Sequence, residues 1–144
     1  MDEKLQKNVD KRLKDGWIKS TMIIEILAVS EETTDSALKK HIEKIEGEDH
    51  TMVVDTRFHE VREVPNPMPN VEKGYSKIVD VDILTKDFDT LVRVVVSYGP
   101  SSVEILEPEK IRMDMGEAQG ILNSLAEIIH KFAQAGLGGV MVGT

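Results

Sequence analysis

Cysteine is absent from all 144 residues. Its absence excludes disulfide bonds, thiol catalysis and thiolate metal sites together. Long apolar runs are missing too, since no stretch approaches the ~18 residues that a membrane-spanning helix needs. The start of the chain, MDEKLQKNVDKRLKDG, is charged throughout and does not have the pattern of a signal peptide. We therefore expect a cytoplasmic protein with no membrane partner.

Aromatic residues and positive charge are both scarce. The chain holds one Trp, two Tyr and three Phe, and its formal net charge is −8. Phosphate recognition depends on Lys and Arg, and sheets that bind RNA present exposed aromatic rings. Nucleic acid is therefore not an expected partner. Asn and Gln are also few beside abundant Lys and Glu, which is typical of thermophilic proteins.

The residues that are present describe one globular domain. With 40% hydrophobic and 31% charged residues, the chain can bury a core of ordinary size. Leu5, Val9 and Leu13 give residues 2–14 a thin apolar seam on a helix that Gly16 ends. Because this seam is too narrow for a core helix, we expect the helix to pack on the side of the domain or on a partner.

Apolar periodicity predicts the order strand, helix, strand, strand, helix, strand, helix for the rest of the chain. The predicted strands are 17–29, 51–64, 74–84 and 101–107, and the predicted helices are 34–46, 85–98 and 114–135. The first strand is apolar on both faces in its second half, which indicates a central strand covered on both sides. The prolines of PNPMPN predict a loop from 65 to 73. Asp114 and Glu117 resemble a capping box at the start of the last helix.

The segment 85–98 is locally ambiguous. Its valines favour a strand. Its apolar residues nevertheless follow the helical i, i+3, i+4, i+7 spacing, and Asp87 can cap a helix there. We interpret the segment as a helix that Gly99 and Pro100 stop.

The order of elements, without the first and last helices, is the split βαβ pattern. It predicts an α+β ferredoxin-like βαββαβ sandwich with additional N- and C-terminal helices. Right-handed crossovers place the first and third strands at the centre of the sheet. The predicted organisation is an N-terminal amphipathic helix (1–16), the ferredoxin-like domain (17–135) and a flexible Gly-rich tail (136–144). Two helices cover one sheet face, and we expect the last helix to cover the other face within the chain or across a dimer.

A Gly-containing turn, a short Val-x-Ile-Leu-x-Pro strand and a helix follow one another in residues 94–133. The matching positions are Gly99, Val103, Ile105, Leu106, Glu107 and Pro108. This stretch resembles the C-terminal extension of WYL-domain transcription regulators. The resemblance implies a ferredoxin-like fold with a regulatory or oligomerising role and no catalytic residues, although no helix-turn-helix or WYL core precedes it. The whole chain also resembles small stand-alone ferredoxin-like proteins of prokaryotes.

Three or four carboxylates are candidate metal ligands. Asp80 and Asp82 alternate onto one face of a central strand, Glu25 on the neighbouring strand can face the same way, and Glu104 on the fourth strand can join them. Oxygen ligands of this kind bind hard cations such as Mg²⁺ or Ca²⁺. The alternative is a solvated face, or ion pairs with Lys77 and Arg93. Apart from such a divalent cation, no cofactor is predicted.

The turn before the fourth strand is the second candidate site. Tyr98, Ser101 and Ser102 flank Pro100 there, and ligand-sensing ferredoxin-like domains often bind at such helix-to-strand turns. The alternative is a tight turn, since turns are rich in Ser and Pro for local reasons.

No Ser-His-Asp ordering, nucleophile elbow or P-loop can be assembled from the sequence. We therefore predict a non-catalytic regulatory or interaction module that forms a homo-oligomer and senses a small ligand. The alternative is a metal-dependent enzyme that uses the carboxylate face.

Overall fold

The computed structural model describes residues 2–135 of the chain. Within that range the protein is α+β, with four helices and one antiparallel sheet of five strands. The elements are α1 (Glu3–Lys14), β1 (Ile18–Ala28), α2 (Glu31–Glu46), β2 (Thr51–Phe58), β3 (Arg62–Met68), β4 (Val71–Thr85), α3 (Phe88–Tyr98), β5 (Ser102–Glu107) and α4 (Met115–Gln134). The Gly-rich tail predicted for 136–144 lies outside the described residues.

The strands lie in the order β2-β4-β1-β5, and β3 follows β2 along the same edge of β4. The two central strands pair over their whole overlap, from Ile18 opposite Thr85 to Ala28 opposite Tyr75. The first and third predicted strands therefore occupy the centre, as the crossover argument requires.

The ambiguous segment is a helix, as predicted. Asp87 caps α3 by accepting the amide hydrogen of Thr90 over 2.8 Å, and Gly99 ends the helix at φ 57°. Its valines fit a helix because Leu91 and Val94 point into the core, where they are 3% and 2% exposed. Burial of one helical face thus outweighs the strand preference of the β-branched residues.

The second predicted strand and the following loop are wrong in their bounds. The strand stops at Phe58, and β3 runs through the prolines to Met68, so that only Pro69 and Asn70 form the turn. Prolines are tolerated here because β3 is an edge strand whose outer side has no ladder to interrupt. Pro67 also packs closely on Gly74, where a Cβ would lie 2.7 Å from the Pro67 Cγ.

Helices α2 and α3 cover one face of the sheet. The core on that face includes Met22, Leu38 and Ile83, which are fully buried. Helix α1 covers part of the opposite face, where Val9 packs with Val54 and Leu84. Within residues 2–135 no helix covers the rest of that face, and Glu25 and Leu27 on it are exposed, so β1 is not covered on both sides in its second half as predicted.

The last helix does not cover the open face. It packs beside α3, because the Glu117 Oε1 atom accepts the amide hydrogens of Phe88 and Asp89 over 2.9 and 3.3 Å. The predicted capping box is therefore only half formed. Asp114 accepts the Glu117 amide hydrogen over 2.8 Å, but the Glu117 side chain caps α3 instead of its own helix. In residues 2–135, no helix combines the length and apolar character needed to cross a membrane.

Candidate interaction surface

Helix α4 carries a row of exposed apolar side chains, which we call the α4 stripe. None of the 20 residues of α4 is buried. The stripe consists of Met115, Leu122, Leu125, Ile129 and Phe132, exposed by 87, 60, 41, 58 and 49% respectively. Steps of seven, three, four and three residues place these side chains on one side of the helix.

The side of α4 that meets its own chain is partly polar. Glu117 caps α3, and Gly120 lies beside Asp89, whose Oδ2 is 3.4 Å from the position a Gly120 Cβ would take. Further along, Ser124 and Lys131 line an open cleft of about 350 Å³ between α4 and α3. Ile121 and Ile128 are half-buried, and the most exposed apolar side chains of the helix face away from its own chain.

Little charge lies near the stripe. Helix α4 has three charged residues among 20, Glu117, Glu127 and Lys131, whereas α2 has eight among 16. Glu117 is bound to α3, and Glu127 pairs with Lys131 over 3.1 Å. In a chain of net charge −8, this helix can meet a like-charged molecule with little repulsion.

Strand β5 is a second exposed apolar region. It lies at one end of the strand order, and all six of its residues are exposed. Val103 and Ile105, opposite Met22 and Ser20 of β1, are 37 and 39% exposed. An apolar edge strand of this kind invites pairing with another chain.

The predicted metal ligands lie on one sheet face, but each has a different partner. Asp82 accepts two hydrogen bonds from Arg57, both of 2.9 Å, and one of 2.7 Å from Thr21. The Arg57 guanidinium holds the pKa of Asp82 below its usual range, against the opposing effect of burial. Asp80 contacts His59 Nε2 at 3.2 Å.

Glu25, the third predicted ligand, accepts a short hydrogen bond from the Ser76 hydroxyl. Glu104 lies opposite Thr21 on the β5 side of the sheet. Across residues 2–135, no three His, Cys, Asp or Glu side chains are grouped so that they can hold a metal ion. These carboxylates thus lie on one side of the sheet but do not converge on one point. The divalent cation stays a prediction.

The comparison with protein families gives one result. The family model described as the MJ0538 family matches residues 19–143. The chain belongs to the MJ0538 family. No curated protein and no solved structure matches it. The comparisons show no link to WYL-domain regulators. The MJ0538 match begins within β1 and includes β5 and α4, so the candidate surface is part of the family region.

The predicted ligand turn has its polar groups largely engaged within the chain. The Tyr98 hydroxyl donates to Glu48 over 2.6 Å, and the Tyr98 carbonyl oxygen accepts from His41 Nε2 over 2.9 Å. Burial, with the Glu48 carboxylate as a smaller cause, raises the pKa of Tyr98 to about 12. These contacts hold helix α3 against α2 and give the ring a structural role.

Ser101 and Ser102 hold β5 against β1. The Ser101 amide and hydroxyl both donate to the Ile23 carbonyl oxygen, over 2.8 and 3.1 Å, and Ser102 pairs opposite Ile23 as the first residue of β5. The tight-turn alternative accounts for these bonds, and ligand binding at this turn stays a prediction.

Sequence reasoning missed the partner of Asp82. Lys77 was expected to pair with the carboxylate face, but it bonds Asp35 on the helix side of the sheet, and Arg93 bonds Asp89 along α3. Arg57, which lies on the second predicted strand, supplies the ion pair instead. Strand alternation gives the available signal, because Lys77 is an odd number of residues from Asp80 and Asp82 and so points to the opposite face.

Proposed function

We propose that this protein is a non-catalytic interaction module that binds a second copy of itself through the α4 stripe. The observation that carries the proposal is a 20-residue helix with no buried residue and five large exposed apolar side chains. A wide apolar stripe on a helix is normally buried against another element. Within residues 2–135 the chain supplies no such element.

The size of the stripe supports an interface. Its five side chains expose roughly 500 Å² of apolar surface, toward the upper end of the ~300–600 Å² found for the largest patch on a typical monomer. Burial of that area contributes on the order of 10 kcal/mol before the costs of association are subtracted. Two copies would bury roughly 1,000 Å² through α4 alone, which is the lower limit for a specific interface.

A second copy fits the stripe better than a membrane does. In a two-fold dimer the same patch faces itself, so a patch that lacks charge avoids self-repulsion. Amphipathic helices that lie on anionic lipid carry Lys and Arg along their polar face. Helix α4 offers only Lys131, and that side chain is paired with Glu127.

We also propose that the domain is of the ferredoxin-like type. The strand order β2-β4-β1-β5 in the sheet supports this assignment. So does the chain order, in which α2 connects β1 to β2 and α3 connects β4 to β5. Such a domain leaves α4 free to act as an added association element.

Sedimentation velocity tests the proposal. We expect the wild-type chain to sediment at twice its 16.1 kDa mass at micromolar concentration. The double variant Leu122→Glu/Ile129→Glu places two carboxylates in the stripe and should sediment as a monomer, because burying unpaired charge is costly.

The matched control is Ser36→Glu/Lys40→Gln, which makes the chain more negative by the same two charges on the exposed side of α2. It should remain a dimer. A monomeric wild type at high micromolar concentration would refute the proposal, and so would a Leu122→Glu/Ile129→Glu variant that stays dimeric.

A further inference from the structure

A cavity of about 430 Å³ opens where the α1–β1 turn, the start of α3 and the segment after β5 meet. Its apolar wall is formed by Ile18, Phe88, Pro108 and Ile111. Ile18 is a core residue at 2% exposure, and Phe88 and Ile111 pack against the same core. The cavity is therefore preformed by the fold, and its volume lies within the ~300–1,000 Å³ usual for small-molecule sites.

The charge of this cavity is opposite to that of the protein. Lys86, Lys110 and Arg112 line it, and none of them forms an ion pair within residues 2–135. The two acidic residues at its wall are Asp15 and Asp87. The Asp87 carboxylate already caps α3, because its Oδ1 accepts the amide and hydroxyl hydrogens of Thr90 over 2.8 and 2.6 Å.

We propose that this cavity binds a small organic anion that has one anionic group on an apolar body. The three cations attract and hold the anionic group, and the Ile18–Phe88–Ile111 wall covers the apolar body. The backbone amides at the start of α3 do not supply the recognition, because the Glu117 carboxylate already accepts from Phe88 and Asp89. Side-chain charge and apolar shape together define the ligand class.

This site is separate from the α4 stripe. None of the five stripe residues lines the cavity, and the Tyr98–Ser102 turn does not line it either. Loss of self-association and loss of anion binding are therefore distinguishable outcomes.

Fluorescence titration with anilinonaphthalene sulfonate tests the proposal, because this probe joins an apolar ring system to one sulfonate. Phenylnaphthylamine is the matched neutral probe. We expect Lys110→Glu/Arg112→Glu to weaken sulfonate binding by at least about tenfold, since two nearby charges are reversed. The neutral probe should change by less than about threefold, because it lacks the charge that Coulomb attraction acts on.

The control Lys4→Glu/Lys7→Glu makes the same charge change on the exposed side of α1 and should keep wild-type affinity within about twofold, because salt screens distant charges. Leu122→Glu/Ile129→Glu should also keep the sulfonate site. The proposal would be overturned if Lys4→Glu/Lys7→Glu lost as much sulfonate affinity as Lys110→Glu/Arg112→Glu. It would also be overturned if Lys110→Glu/Arg112→Glu kept the wild-type affinity. Disappearance of the site in Leu122→Glu/Ile129→Glu would assign the probe to α4 and overturn it too. Circular dichroism melting confirms that each variant is folded.

Discussion

The first and last helices contrast sharply in how they use their apolar residues. Helix α1 has a thin seam, yet Val9 at its centre is only 2% exposed because it closes over Val54 and Leu84. Helix α4 has a wide stripe, yet none of its residues is buried. The narrow seam of α1 is covered by the sheet, whereas the wide stripe of α4 is not covered by any element within residues 2–135.

Position relative to the sheet explains this contrast. Helix α1 leads directly into β1 through Gly16 and Trp17, so even a narrow seam is held against the sheet. Helix α4 is drawn to the flank of α3 by the Glu117 cap, which turns its stripe away from the sheet. The width of a stripe thus indicates how much surface must be covered, and the connections of a helix decide what covers it.

The largest expected effect separates the two helices by stability. Val9→Asp should lower the free energy of unfolding by about 3 kcal/mol or more, because it buries a charge without a partner. Leu122→Asp on α4 should lower it by less than about 1 kcal/mol in the monomer, since the site is exposed. Urea unfolding at submicromolar concentration measures both values. If both variants lost a similar free energy of unfolding, the proposed difference between the covered α1 and the exposed α4 would be wrong.

A smaller effect is expected at the contact that orients α4. Glu117→Ala should lower the free energy of unfolding by about 1 kcal/mol, the usual value of a helix cap, because the Phe88 and Asp89 amides lose their acceptor. Glu127→Ala removes only an exposed ion pair, so its effect should stay below about 0.5 kcal/mol. If thermal or urea unfolding shows the same loss of free energy of unfolding for both substitutions, Glu117 does not anchor α4 on α3.

The smallest effect concerns acid on the sheet face that α1 partly covers. The hydrogen bonds from Arg57 lower the pKa of Asp82 below the ordinary aspartate value of 3.8. The ionised carboxylate therefore stabilises the fold above that value, and this contribution is lost as the pH falls through the lower pKa of the folded state. Asp82→Asn should flatten the fall in melting temperature below about pH 4. The exposed-site control Asp49→Asn should keep the wild-type slope; a steep slope in Asp82→Asn would assign the acid sensitivity elsewhere.

Much of the fold could be predicted because local signals and burial agree. The cap at Asp87, the stop at Gly99 and the spacing of Leu91 and Val94 all indicate one helix, and the structure has it. The two central strands follow from crossover handedness and from the apolar pattern of β1.

The remaining features depend on contacts between distant residues. Edge position makes the prolines of β3 compatible with a strand, and no local rule states that position. The pairing of Arg57 with Asp82 joins residues 25 apart in the chain, and the Glu117 cap joins residues 28 and 29 apart. The choice of α1 rather than α4 to cover the second sheet face follows from the Glu117 cap and from the short connection between α1 and β1.

The distance between two α4 helices tests the self-association claim most directly. The chain has no cysteine, so Ala126→Cys beside the stripe provides a single spin-label site. Packed helices lie ~8–10 Å apart, so labels near the middle of α4 should show dipolar coupling within about 30 Å. Dilution with unlabelled chain should abolish that coupling. No coupling at high micromolar concentration, in a fully labelled and folded sample, would contradict the account.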